Sequence, residues 1–289
     1  MTSVTISAKD VAELRRRTGA GMLDCKKALE EAGGDMEKAV ELLRARGIAK
    51  AEKRAGRSAS QGVIVVELAA DGTAGAMAEV NCETDFVART EDFQNMARAL
   101  ARHVLANAPQ GAGEGTALDG QAWSGEGGGT VAEFVKASAA RTGEATTFRR
   151  WAHFARPDGV VGHYLHHNGM VGVLVELEGG QGEAPAQLAR DVALHIASAD
   201  PLGVRPEDIP AELLDRERRI AEEQVAQEGK PEQIRAKIVE GKLRKFVAER
   251  TLLEQPFVKD DTATVGQLVT KAGAGLSVVR FARFQVGQD

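Results

Sequence analysis

Cysteine is scarce in this chain of 289 residues: Cys25 and Cys82 are its only two. Two thiols, one of them in an apparent helix, do not make a disulfide scaffold, so the small stapled secreted folds are excluded. Long apolar runs are also missing. None approaches the roughly 18–20 residues that a bilayer crossing needs. The first twenty residues lack the basic, apolar and small-residue regions of a signal peptide, and they carry acidic residues unlike a transit peptide. The expectation is a cytoplasmic protein. A net charge of −5 argues against a general nucleic-acid binder, which shows a basic face. The phosphate-loop pattern G-x-x-x-x-G-K-[ST] occurs nowhere, and no G-x-G-x-x-G leads from a strand into a helix. The chain is therefore not expected to bind nucleotide itself. What remains is a chain of ordinary globular composition, long enough for two or three compact units.

Residues 1–47 read as three short helices. Ser7 with Asp10 three residues on resembles a helix start, and Thr18-Gly19 a stop. A second helix carries Met22, Cys25 and Leu29 and ends at Gly33-Gly34. Asp35 can cap the third, which presents Met36, Ala39, Val40 and Leu43. Each is too short to persist alone, so their apolar stripes must pack together. Residues 48–61, with Lys50, Lys53, Arg54 and Arg57, read as a solvated basic linker, the other reading being a patch for RNA.

An internal echo follows. Strand runs from Gly62 to Leu68 and from Ala74 to Cys82 flank the hairpin turn Asp71-Gly72. A helix then ends near His103, six positions before Pro109. Later, strands from Val160 to Leu165 and from Met170 to Leu177 flank Asn168-Gly169, and a helix ends near His195, six before Pro201. The pattern predicts two related α+β subdomains, each an antiparallel sheet covered on one face by helices. Residues 110–129 hold eight glycines and little apolar content, which predicts a mobile loop. Thr130 then caps a helix through about Arg141. Two charged helices, roughly 211–228 and 232–250, are separated by Gly229-Lys230-Pro231. Each would be ~27 Å long, with Leu213, Ile220, Ile234, Ile238 and Phe246 forming a two-helix seam. Leu252 to Val258, a helix from Thr264, and Ser277 to Val286 return to complete the second sheet.

Thr84-Asp85-Phe86-Val87 stands where a predicted strand gives way to a helix carrying Phe93, Met96, Ala97, Leu100 and Val104. Such junctions are usually surface loops that display binding groups. A phenylalanine there either folds back into its own core or is displayed for a purpose.

Other chemistry is weaker. On an extended strand His163 and His167 share a face but lie ~13 Å apart, too far to hold one ion, so no metal site is expected. His103 and His195 sit on apolar helix faces and read as core residues. Lys26 and Lys27 could depress the Cys25 thiol, but nothing supplies a base and an orienting group. Packing is the favoured role for both cysteines.

The segment Leu14-Arg15-Arg16-Arg17-Thr18-Gly19-Ala20-Gly21-Met22-Leu23-Asp24-Cys25-Lys26-Lys27-Ala28-Leu29 closely resembles the opening signature of the translation elongation factor Ts family. Glu79-Val80-Asn81-Cys82-Glu83-Thr84-Asp85-Phe86-Val87-Ala88 resembles its second signature. Further matches follow in family order at Gly169 to Val175, Gly229-Lys230-Pro231, Gln255-Pro256-Phe257-Val258 and Thr264 to Leu268. The resemblance implies an α+β fold with these parts: a UBA-like three-helix bundle (1–50), a basic linker (51–61), a core subdomain N (62–150), a core subdomain C (151–206 and 251–289), and an inserted antiparallel coiled-coil hairpin (207–250). It implies guanine-nucleotide exchange on elongation factor Tu, without covalent chemistry or cofactor. Thr84, Asp85, Phe86 and Val87 would disturb the partner's Mg²⁺ site, with Phe86 as the wedge. Arg15, Met22 and Leu23 would dock on the partner's nucleotide domain, although Met22 and Leu23 could equally pack within the bundle. Either His166 or His167 would stand near the partner's nucleotide site. A homodimer, giving a heterotetramer with the partner, is compatible with the family. The sequence ends at Asp289 soon after its last predicted strand, so a C-terminal helical segment found in some members is expected to be missing. The competing readings are a plain binding module and an enzyme using Cys82, Asp85 and a histidine.

Overall fold

The computed structural model describes residues 6–54, 56–227 and 231–288. Helices α1 (Ala8–Thr18), α2 (Met22–Glu31) and α3 (Met36–Arg54) come first. Ser7 and Asp10 close a reciprocal capping box on α1, and Gly19 ends it in the left-handed conformation. Val11, Leu14, Cys25, Ala28, Leu29, Ala39 and Leu43 form the core of the three helices. The third helix is longer than the sequence reading. It continues through residues assigned to the linker as far as Arg54. Alanine, lysine and glutamate between positions 49 and 54 are strong helix formers, and no proline interrupts them.

Strands β1 (Gln61–Leu68) and β2 (Ala74–Cys82) follow, then the single turn α4 (Asp85–Ala88), α5 (Glu91–Asn107), β3 (Gly111–Glu114), α6 (Val131–Thr142) and β4 (Thr146–Ala155). The four strands form one sheet in the order β1-β2-β4-β3. Thr90 caps α5, which buries Phe93, Met96, Ala97, Leu100 and Val104 as the spacing predicts. Next come β5 (Gly159–Leu165), β6 (Val171–Glu178), α7 (Glu183–Ala199), α8 (Ala211–Gln227), α9 (Glu232–Arg250), β7 (Pro256–Phe257), β8 (Asp260–Thr264), α10 (Val265–Ala272) and β9 (Ser277–Gln285). Strands β5, β6 and β9 make an antiparallel sheet in that order. Residues Val173, Val175 and Leu177 share its core with Leu188, Val192 and Ile196 of α7. Both hairpin turns are as expected: Gly72 and Gly169 have φ of 71° and 70°, and Asp71 and Asn168 accept the backbone N–H two residues on. This is a mixed fold of helices and antiparallel sheet.

The described chain divides into two compact units. One takes the residues up to Val65, Ala78–Trp151 and those from Val286. The other takes Val66–Met77 and Ala152–Gln285. Among the described residues no helix is long and apolar enough to cross a membrane.

Three expectations need correction. The glycine-rich stretch is built, not mobile. It contains β3 and a 3₁₀ turn at Gly115–Leu118, and an Ala122–Thr130 bridge closes it. Leu118 and Trp123 are buried, and the Trp123 ring stacks between Phe134 and His103. His103 accepts the Ser124 N–H at Nδ1 and lies 3.1 Å from Gln121 Oε1 through Nε2. The glycines serve close approach: a Cβ on Gly115 would collide with the Phe148 carbonyl oxygen.

The α8/α9 seam also differs. Its buried residues are Ala221, Val225 and Val239, flanked by Ile238 and Leu243, whereas Ile220 and Ile234 are exposed. Small residues at the seam rotate the larger isoleucines outward. The break at Gly229-Lys230 lies outside the described residues. Finally, Leu252–Glu254 is a 3₁₀ turn, and Pro256–Phe257 pairs only with β8, so that stretch does not join the second sheet.

Candidate functional site

The β2 to α5 junction is a capped helical turn and not an open loop. Thr84 has extended backbone and its hydroxyl accepts the Val87 N–H at 3.3 Å, starting α4. The Thr90 hydroxyl closes the turn by donating to the Val87 carbonyl at 2.8 Å, and the hydroxyl oxygen in turn accepts the Phe93 N–H to start α5. Gln94 Nε2 donates to the Ala88 carbonyl at 2.7 Å. Cys82 Sγ donates to the Thr84 carbonyl at 3.2 Å. A turn of four residues cannot sustain itself; these side chains impose its shape.

Two carboxylates that the sequence reading missed tie the turn to the segment after α6. Glu144 accepts the Thr84 hydroxyl at 2.6 Å and the Thr84 N–H at 3.0 Å. Glu83 accepts the Ala145 N–H at 2.7 Å and pairs with Arg57 at 3.4 Å. The Ala145 N–H, then Arg57, hold the Glu83 carboxyl below its usual range. Each segment thus supplies the acceptor for the other's backbone donor. Arg57, one of the linker's basic residues, is used inside the molecule.

On this base the side chains divide by direction. Phe86 is 81% exposed. It does not fold back into its own core. Asp85 is half-exposed and pairs with Arg89 at 2.9 Å across the solvent, a contact worth little to stability. Val87 turns inward, lining a hollow of about 210 Å³ whose walls mix apolar Phe93 and Met96 with polar Thr90, Asp92, Ser138 and Arg141. A large aromatic left in solvent on a braced turn is a group suited to contact with another protein.

In the three-helix bundle, Met22 is 47% and Leu23 65% exposed, and Arg15 is exposed. The bundle core uses Cys25 and Leu29 from the same helix. Packing within the bundle therefore does not account for Met22 and Leu23.

His166 lies in the second unit, where the Tyr164 hydroxyl is 3.0 Å from its Nδ1. Strand β5 ends at Leu165, so the extended-strand geometry stops there and the rings of His166 and His167 come to 4.3 Å of each other. His195 is buried, accepting the Val258 N–H at Nδ1 and lying 2.9 Å from Gln255 Oε1 through Nε2.

Neither thiol is primed for chemistry. Burial, then the nearby Glu144 carboxylate, pushes Cys82 up to about 11. Burial likewise raises Cys25, opposed in part by its hydrogen bond with Thr18. Both thiols stay protonated near neutral pH and are weak nucleophiles there. Among the described residues no group of three or more His, Cys, Asp or Glu is placed to hold a metal ion.

What the fold presents is an aromatic held out on a braced turn, with further apolar side chains exposed on a small bundle. Known proteins give the chain its family. The family model "Elongation factor TS" matches residues 83–288. Elongation factor Ts of Aquifex aeolicus is 47% identical over 287 residues, covering 98% of this chain and 99% of that protein. That of Thioalkalivibrio sulfidiphilus is 48% identical, covering 99% and 93%. That of Prosthecochloris aestuarii is 44% identical, covering 98% and 99%. The chain belongs to the elongation factor Ts family.

Proposed function

We propose that this chain is a cytoplasmic guanine-nucleotide exchange factor for elongation factor Tu during translation elongation, and that the Thr84 to Val87 turn carries the exchange. The supporting observation is Phe86: a large aromatic held almost wholly in solvent by a turn that five side chains brace. The partner's GDP is held by a Mg²⁺ that tolerates little departure from octahedral geometry and by phosphate-cradling backbone amides. Phe86 enters an apolar pocket beside that site and displaces the elements that position the metal's water ligands. Asp85 supplies charge that disfavours the old arrangement. Thr84 and Val87 shape the turn. Burying Phe86 is worth roughly 1.5–3 kcal/mol. Realised only on the nucleotide-free partner, that gives about a 10–150-fold coupling. Coupling is reciprocal: a factor that prefers the empty partner weakens GDP by the same ratio. No bond is made or broken by the chain itself.

In this reading α1 to α3 form a UBA-like bundle (1–50) that docks on the partner's nucleotide domain through Arg15, Met22 and Leu23. Residues 51–61 connect it to subdomain N (62–150). Subdomain C (151–206 and 251–289) brings His166 or its neighbour His167 towards the nucleotide region. Helices α8 and α9 form a protruding antiparallel coiled coil (207–250).

Release of a fluorescent GDP from elongation factor Tu tests the proposal, with the native chain, with Phe86→Ala, and with neither. Strong acceleration by the native chain, largely lost in Phe86→Ala, is expected. Acceleration fully retained by the variant overturns the wedge. Binding without acceleration by the native chain overturns exchange in favour of a plain binding module.

A further inference from the structure

We propose that Glu144 is a positioning residue for exchange: by holding both the hydroxyl and the N–H of Thr84, it fixes the direction in which Phe86 leaves the surface. The inference rests on the role given to Phe86 above. Glu144 lies 60 residues from Thr84 in sequence, on neither signature of the family resemblance.

The chemistry of one hydroxyl carries the argument. Thr84 Oγ1 has a single proton and two lone pairs. Its proton goes to Glu144 at 2.6 Å, a charge-assisted bond. That choice orients the hydroxyl so that a lone pair faces the Val87 N–H, which is the cap that makes α4 a helix. The second Glu144 oxygen holds the Thr84 backbone at 3.0 Å, so the residue is gripped at two points and cannot rotate about its own Cα. Glu144 is itself well anchored. It follows α6 and the left-handed Gly143, and α6 is seated by buried Val131, Val135 and Ala139. The carboxylate therefore transmits the position of a packed helix to a four-residue turn in which only Ala88 is buried. A displayed side chain held loosely by about 1 Å loses most of its effect. Glu144 supplies the restraint without touching the partner.

The test is GDP release from elongation factor Tu as the concentration of the native chain, Phe86→Ala, Glu144→Gln or Glu144→Ala is raised. This separates the limiting rate from the half-saturating concentration. Amide hydrogen exchange of each free protein is read in parallel. For Glu144→Ala the limiting rate should fall about tenfold, the scale of one lost hydrogen bond to a charged group. The half-saturating concentration should change little. The Val87 and Ala88 amides should lose protection while those of α5 and α6 keep theirs. Glu144→Gln should recover part of the rate, since its amide oxygen can still accept the Thr84 N–H. A native limiting rate in Glu144→Ala, beside a defective Phe86→Ala, overturns this proposal alone. Loss of protection throughout α5 and α6 also overturns it, as general destabilisation. A native chain that fails to accelerate release overturns the exchange reading and the proposal with it.

Discussion

Glu176 and Arg280 face each other in register across β6 and β9, and Arg280 Nε donates to the Glu176 carboxylate at 2.6 Å. The other oxygen takes Arg156 Nε at 2.7 Å. The carboxylate is 1% exposed, but both guanidiniums reach water, and that of Arg280 also lies 4.4 Å over the Phe154 ring. Removing either arginine leaves the buried charge one partner. Arg156→Ala and Arg280→Ala should each cost about 1.5 kcal/mol. The double variant strands a buried carboxylate and should cost about 3–5 kcal/mol, more than the sum. Urea unfolding of the four chains checks the non-additivity.

Stability should separate two phenylalanines seven residues apart. Phe86 is exposed, and Phe86→Ala should shift stability by no more than about 0.5 kcal/mol. Phe93 is fully buried, and Phe93→Ala should cost about 3–5 kcal/mol. Thermal melts decide this. A large loss in Phe86→Ala would mean that the ring is packed in solution, and its effect on exchange could then not be read as a lost wedge.

Glycines of the 111–129 stretch should respond in opposite directions. Gly115→Ala meets the Phe148 carbonyl oxygen and ring and should cost about 1–3 kcal/mol through backbone displacement. Gly120 has open space around it and no positive φ. Gly120→Ala should be neutral, or stabilise by about 0.4–1 kcal/mol by restricting the unfolded chain. Equal effects from both would contradict a built segment.

Acid should weaken the second unit earlier than its carboxylates require. Burial lowers the affinity of His195 for a proton, opposed in part by Gln255. Burial, then the charge of Arg190, lowers that of His163. A histidine with a depressed folded value binds fewer protons than the unfolded chain does. Its contribution is complete above the unfolded value of about 6.5 and is lost as pH falls through the folded value. Stability should therefore decline from pH 7 towards 5. His195→Gln should flatten that slope even if it lowers stability at pH 7. An unchanged slope would place the proton uptake elsewhere.

The exposed turn is legible in sequence because all its signals are local: alternation ending at Cys82, a capping threonine, and helical spacing resuming at Phe93. Glu83 and Glu144 are not legible in this way. Their partners are backbone N–H groups some sixty residues away, and such contacts leave no periodicity. The 110–129 stretch is misread because composition counts its glycines but not what they approach. Two large residues, Leu118 and Trp123, are enough to seat it once His103 and Phe134 are in place. The α8/α9 seam is misread for a related reason. The largest apolar residues dominate a sequence pattern, while close helix packing selects Ala221, Val225 and Val239.

The base of the α8/α9 hairpin is stitched shut. Leu202 N–H donates to the Arg250 carbonyl and Leu252 N–H to the Gly203 carbonyl, at 2.8 and 2.9 Å, and Gly203 bridges Thr251. The chain thus enters and leaves the pair of helices at one point. A force applied along the two helices is borne first by that short seam of backbone bonds, before it reaches the ladder between β6 and β9. The hairpin is in this sense a removable attachment. Replacing the helices by a short link should leave the ladder between β6 and β9 in place.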